Sequence, residues 1–244
     1  RLEAEFYSQK SLIGSNFESG EDAIDFVQYG TSEELNENGN GFPVLRLNEF
    51  DGLFIKTPEK YCNKIDRAIY ESLSLKKDDI LICRTNGNPK LVGKSALVPK
   101  DYNFAFASYL FRVRPKKDII NPASLAVYLN SRVGRSQIEK NLMVSNQANF
   151  SPAKFRDIQI PLLSGSIQKL IEKIVYLTYQ KQELANLYYR EAEQILLSEL
   201  DLLNWKPKHH LSFIKNFSDT QVSERIDAEY FQPIYEDVVE RIKQ

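Results

Sequence analysis

Four short stretches of this 244-residue chain hold the side chains that would do chemistry if any did. Asn88-Pro89-Lys90-Leu91 and Asn121-Pro122-Ala123-Ser124 come nearest to the Asn/Asp-Pro-Pro-aromatic tetrad with which amino-methyltransferases hold a target base. Both lack the second proline and the aromatic. Glu71 to Asp79 (ESLSLKKDD) has the composition of a nuclease cluster, carboxylates beside lysine, but not a spacing that would make a strand converge them. His209 and His210 are adjacent, so their side chains diverge, and no third ligand stands near them; metal binding is not expected. GxGxxG, GxxxxGK[ST], HExxH and GxSxG are all absent. The expectation is a protein that binds and does not catalyse.

Amide- and hydroxyl-rich turns beside basic residues are the stronger signal. Tyr29, Thr31 and Ser32 lie in YGTS, and Arg46 and Asn48 follow NGNGFPVL. Arg84, Thr85, Asn86, Asn88, Lys90 and Lys94 crowd into CRTNGNPKLVGK, and Asn146 and Gln147 sit in SNQANFS. Asn and Gln read an adenine edge with two hydrogen bonds, Arg reads guanine, and Lys, Ser, Thr and backbone amides hold phosphate. On that chemistry Lys90, Lys94, Arg112 and Arg114 are expected at phosphates. Arg46, Asn48, Arg84, Thr85, Asn86, Asn88, Asn146 and Gln147 are expected at bases. Turns need Asn and Gly for conformational reasons alone, so each loop taken singly reads first as structural.

The elements that must carry these loops follow from pattern. Pro43 to Leu47, DILICR (79–84), LVGKSALV (91–98) and FAFASYLFRV (104–113) read as strands. Asn121-Pro122 caps a helix to about Ser131 that resumes toward Leu142; Ser151-Pro152 caps a short one, and DIQIPLL is a last strand. From Ile167 to Leu203 there is neither Pro nor Gly. Ile167, Leu170, Ile174, Leu177, Leu184, Tyr188 and Ile195 alternate at spacings near three and four, as the apolar stripe of one long helix of roughly 50 Å. Such a stripe needs a partner helix, so a coiled coil is expected. Pro207, His209 and His210 mark a linker, and PIYEDVVERIKQ from Pro233 begins another helix.

Net charge is −1, but its distribution is uneven. Residues 1–60 hold twelve acids against five Lys/Arg, whereas residues 80–117 hold eight Lys/Arg against Asp101 alone. A basic segment of that kind is a solvated face or faces a polyanion. Cys62 and Cys83 are too few for a disulfide framework or a four-thiolate zinc site. No run is long and apolar enough for a membrane span, and a soluble cytoplasmic protein is the default. RLEAEFY at the start returns as RIDAEYF from Arg225, and the chain begins with Arg. It is expected to be part of something longer.

Taken in order, the loops resemble the specificity subunits of type I restriction–modification systems. The resemblance rests on RTNGNPKLVGK, on YLNS…GR…NQANFS, on the junction of IPLL with the long helix, and on RIDAEYFQP as the opening of a recognition unit. It implies an α/β (α+β) target-recognition domain with a curved mixed sheet at 1–165, a spacer helix at 166–203 and the start of a second unit at 204–244. It implies sequence-specific binding of double-stranded DNA, with adenine methylation and cleavage done by methyltransferase and restriction subunits that carry the methyl donor and ATP; no cofactor is expected here. Pairing of two copies through the long helix is a further possibility. Within such a family, shared motifs tend to be scaffold, so the less familiar loops around Glu33–Gly41 and Phe54–Ala68 are also candidates for reading. The recognition tail of a single-chain restriction–methylation enzyme and a coiled-coil protein without a DNA role are the alternatives.

Overall fold

A computed structural model describes residues 16–144, 148–206 and 212–243. The chain divides into two compact units, Arg1–Tyr179 and Gln180–Gln244. The first holds strands β1 (Phe17–Ser19), β2 (Ile24–Tyr29), β3 (Phe42–Leu45), β4 (Phe50–Asp51), β5 (Phe54–Ile55) and β6 (Lys60–Cys62), then helix α1 (Arg67–Leu73). Strands β7 (Ile80–Cys83), β8 (Thr85–Asn86), β9 (Ser95–Leu97), β10 (Ala105–Phe106) and β11 (Leu110–Pro115) lead to helices α2 (Pro122–Asn130) and α3 (Arg132–Lys140). After them come β12 (Met143–Val144), β13 (Ala148–Asn149), helix α4 (Pro152–Arg156) and β14 (Gln159–Pro161). Helix α5 (Gly165–Glu199) begins in this unit and ends in the second, which also holds α6 (Phe217–Ser223) and α7 (Pro233–Lys243).

The central sheet is ordered β2-β11-β7-β9 and is antiparallel throughout. Strand β7 is ILIC, apolar and buried at every position, which requires cover on both faces. Alternate side chains of a strand point to opposite faces. Ile80 and Ile82 therefore enter one core, with Phe111, Val113, Leu125, Phe150 and Phe155. Leu81 and Cys83 enter another, with Leu45, Phe106 and Leu110. Cys62 lies in this second core too; both thiols are free and fully buried, and burial pushes that of Cys83 up to about 11.

A sheet covered on both sides leaves no solvent for a charge, yet Arg112 sits mid-strand on β11. It is 2% exposed, and Asp79 beside it, just before β7, is 0% exposed. One guanidinium nitrogen of Arg112 donates to Asp79 at 3.1 Å and to the Ser74 carbonyl at 2.8 Å; the other donates to the Ser72 carbonyl at 2.9 Å and to Gln28. The two carbonyls belong to the C-terminal end of α1, where a cation is favoured by the helix dipole and no basic residue of α1 supplies one. Asp79 also accepts from the Lys76 amide at 2.9 Å and from Arg114 at 2.8 Å. The phosphate contact expected of Arg112 is thus corrected: its charge is spent inside the fold. Arg114 is half committed in the same way, held on Asp79 with its guanidinium 5.0 Å from the Phe26 ring.

The mixed α/β class and the long helix are as expected, but among the described residues the strands form five small sheets, not one. Among them, parallel pairing is confined to β3–β10 and the Thr31–Ala107 bridge. The strand expected over 91–98 shrinks to Ser95–Leu97, because Pro89–Leu91 coils into a 3-10 turn and Gly93 takes a left-handed φ of +78°. The strand expected over 104–113 breaks at a turn in which the Leu110 amide donates to the Ala107 carbonyl. Helices α2 and α4 start where their caps predict, on Asn121 and Ser151. Helices α1 and α6 were not anticipated from periodicity. The linker at Pro207, His209 and His210, and the opening RLEAEFY, lie outside the described residues.

Helix α5 has two working sides. Val175, with Ile171, Tyr176 and Tyr179 beside it, packs on the first core; Gln168 accepts from the Asn121 amide at 2.7 Å, and the Tyr176 hydroxyl donates to Asp78 at 2.6 Å. At about 100° per residue, the stripe from Ile167 to Ile195 falls on roughly the opposite side. Its members remain between 38% (Leu184) and 63% (Ile195) exposed.

The Asp79 cluster gives a stability test. Removing one partner of a buried pair leaves the other charged and unpaired, at a cost of about 3–5 kcal/mol. Asp79→Ala should lower the unfolding free energy of the first unit by that amount in a urea titration, whereas Asp118→Ala on the exposed turn after β11 should leave it unchanged.

Candidate nucleic-acid interface

The site is built around residues 83–94. Cys83 and Lys94 close its base: the Cys83 amide donates to the Lys94 carbonyl at 2.9 Å, and the Gly93 amide donates to the Cys83 carbonyl at 2.7 Å. Between them the chain leaves the central sheet as β8 and pairs antiparallel with β13, Thr85 opposite Asn149 and Asn86 opposite Ala148. The Thr85 hydroxyl donates to the Ala148 carbonyl at 3.1 Å, and the Phe150 amide donates to the Arg84 carbonyl at 2.8 Å. RTNGN and the ANF stretch (148–150), some sixty residues apart in sequence, are therefore one platform. Asn146 and Gln147 themselves lie outside the described residues.

The turn is held by its own amides. The Asn86 side-chain oxygen accepts from the Asn88 amide at 2.8 Å, and that of Asn88 accepts from the Lys90 amide at 3.0 Å. Asn88 and Lys90 are exposed, while Arg84, Asn86 and Lys94 are half-buried. The guanidinium of Arg84 lies 5.1 Å from the centroid of the Tyr29 ring, a cation–π contact that fixes its direction. Beneath the turn, Arg135 of α3 donates to the Lys90 carbonyl at 3.0 Å, and burial holds its guanidinium below the usual range. Arg84 Nε, Arg135 Nη1 and Asn149 Oδ1 are buried here without a hydrogen-bond partner among the described residues.

The other expected residues take different places. In YGTS, Gly30 is packed so tightly that a Cβ would stand 2.1 Å from the Phe106 carbonyl oxygen. The Thr31 amide donates to that carbonyl at 2.8 Å and its hydroxyl accepts from the Glu33 amide at 3.2 Å, so Thr31 holds the loop; Ser32 is exposed. Arg46 is locked on fully buried Glu49 at 2.6 Å, and that hydrogen bond raises its pKa. It is a structural cation, and only Asn48 next to it is exposed. The Glu33–Gly41 and Phe54–Ala68 loops meet: Asn36 and Tyr61 exchange backbone hydrogen bonds at 2.7 and 2.9 Å, and Lys60 and Lys64 pair with Glu37 and Glu34. Arg135 was missed by residue-type reasoning, because nothing in SRVGRSQ says which arginine faces inward. Among the described residues no three His, Cys, Asp or Glu are placed to hold a metal, and no helix is long and apolar enough to cross a membrane.

Polar turns on a doubly covered sheet are joined to a long helix with an exposed apolar stripe, and one family model runs across the junction. The chain belongs to the family described as the type I restriction modification DNA specificity domain, whose model matches residues 28–192. It is 31% identical over 147 residues to the type I restriction enzyme StySPI specificity subunit of Salmonella potsdam, and 28% identical over 147 residues to the EcoKI specificity subunit of Escherichia coli (strain K12). Each alignment covers 59% of this chain and 31% of the relative. The fold is similar to that of a type I restriction-modification system S subunit from M. genitalium, with a TM-score of 0.50 at 13% identity, over 84% of this chain and 57% of that one.

The turn's geometry predicts an intolerant position. Gly93 has a left-handed φ, and a Cβ there would stand 2.4 Å from Ile138. Gly93→Ala should cost about 1–3 kcal/mol in a thermal or urea melt.

Proposed function

We propose that this chain recognises a specific double-stranded DNA sequence as the specificity subunit, or half-subunit, of a type I restriction–modification complex. It does no chemistry itself; methyltransferase and restriction subunits bring the methyl donor and ATP and act on the adenine and the duplex that it selects, in the cytoplasm. The observation that carries this reading is the joining of RTNGN to residues 148–150 in one platform within the family-matched span. Arg84, oriented by Tyr29, is the side chain best prepared to read a base, since a pre-aimed guanidinium meets guanine with two parallel hydrogen bonds. The exposed stripe of α5 is read as the seam for a partner helix, either from a second copy or from a longer form of the chain.

The decisive experiment is selection of duplexes from a randomised library by the chain together with its methyltransferase partner. A single enriched motif is expected, bound with an affinity that falls linearly in a log–log plot against salt. Enrichment of no motif would overturn the proposal and leave a coiled-coil protein without a DNA role. Arg84→Ala should lose discrimination at one base pair, by about 1–3 kcal/mol, and keep it at the others.

The stripe has its own test. Because Ile174 and Leu184 do not face the first core, Ile174→Glu with Leu184→Glu should abolish helix pairing in analytical ultracentrifugation. The first unit's melting temperature should stay unchanged.

A further inference from the structure

Gly87, at the tip of the RTNGN turn, is not required by the fold. Among the described glycines, Gly20, Gly30 and Gly134 face backbone that a Cβ would strike, and Gly39, Gly41, Gly52 and Gly93 have left-handed φ. Only Gly87 and Gly165 have neither constraint. Gly165 opens a helix, whereas Gly87 is an exposed loop residue with nothing within 4 Å of where its Cβ would be. Glycine in such a place costs conformational entropy in folding and returns nothing to the folded chain. It does permit a ligand to approach the backbone closely.

The flanking side chains say what that ligand is. The oxygens of Asn86 and Asn88 already accept from the amides of Asn88 and Lys90, so both side chains turn their acceptors inward. Their Nδ2 groups donate to no partner among the described residues. Lys90, exposed, and Lys94, at the base of the turn, add positive charge. A surface whose side-chain oxygens are already engaged, and whose amide donors and cations face outward, suits an oxyanion. It suits an adenine edge poorly, because that edge demands a donor and an acceptor from one amide.

We infer that the Asn86-Gly87-Asn88-Pro89-Lys90 turn is an anchor for the DNA phosphate backbone and does not read bases. Gly87 lets a phosphate close on the main chain, Asn86 and Asn88 donate to it through Nδ2, and Lys90 supplies the charge. This rests on the DNA-binding reading above and reassigns Asn86 and Asn88 from base contacts to backbone contacts. Sequence discrimination then falls to neighbours such as Arg84, whose register the anchor fixes.

The test uses Gly87→Ala and Asn88→Asp in the full chain with its methyltransferase partner. Asp keeps the capping oxygen, so the turn survives, but it replaces the donor with a negatively charged acceptor that a phosphate repels. The probes are the library-selected duplex, its single-base-pair substitutions and an unrelated duplex. Both variants should melt with the wild type. Both should bind every duplex more weakly by one common factor, roughly tenfold, with an unchanged base-preference profile. Lys90→Ala should lower the salt slope by about 0.9. A change of preference at one base pair would overturn the inference while leaving DNA recognition intact. So would normal DNA affinity, with or without loss of the methyltransferase, since the turn would then dock protein or nothing. A wild type with no base preference at all would instead overturn the DNA-reading proposal; uniform weakening of its residual binding would still support the anchor.

Discussion

The fold depends on one buried charge and its neutralisation. A sheet covered on both faces gives the domain two cores for one set of strands, and it also places Arg112 where water cannot reach. A lone guanidinium there would be prohibitive. Asp79, the Ser72 and Ser74 carbonyls and Gln28 accept from it, so β2, β7, β11 and the end of α1 are tied at a single point. Strand β7 is apolar on both faces, so a one-residue slip would still bury its side chains; a polar network that needs each partner in place forbids that slip. The position of the RTNGN turn inherits that register, because residues 83–94 leave directly from β7.

Around that point the molecule separates rigid and available polar groups. Arg46, Arg112 and much of Arg114 are spent on Glu49 and Asp79. Arg84, Asn88, Lys90 and Ser32 are not spent in this way, and three of them belong to one turn. The basic segment of 80–117 is therefore two populations, interior counter-ions and surface donors. Charge counting along the sequence adds them together.

That explains what was legible beforehand. Asn121-Pro122 and Ser151-Pro152 gave true helix starts because capping is local chemistry. The periodic run without Pro or Gly from Ile167 gave the long helix, because helical periodicity is also local, although the helix ends at Glu199 and not at Leu203. The breaks at Gly93 and at Ala107 were not legible, since each reflects tertiary packing: Ile138 against Gly93, and Thr31 bridged to Ala107. Arg112 was misjudged because a strand arginine two residues from another looks solvent-facing unless Asp79 is known to lie beside it. The resemblance singled out these loops, but the direction of the side chains in the 83–94 turn required the pairing of β8 with β13.

The two thiols carry one more consequence. Cys62 and Cys83 come from different sheets, yet share the second core, fully buried. No reagent reaches either without that core opening, so the chain contains its own clock. Thiol labelling counts openings of the layer under the recognition turn, and any ligand that steadies the turn slows that clock without touching a sulfur atom.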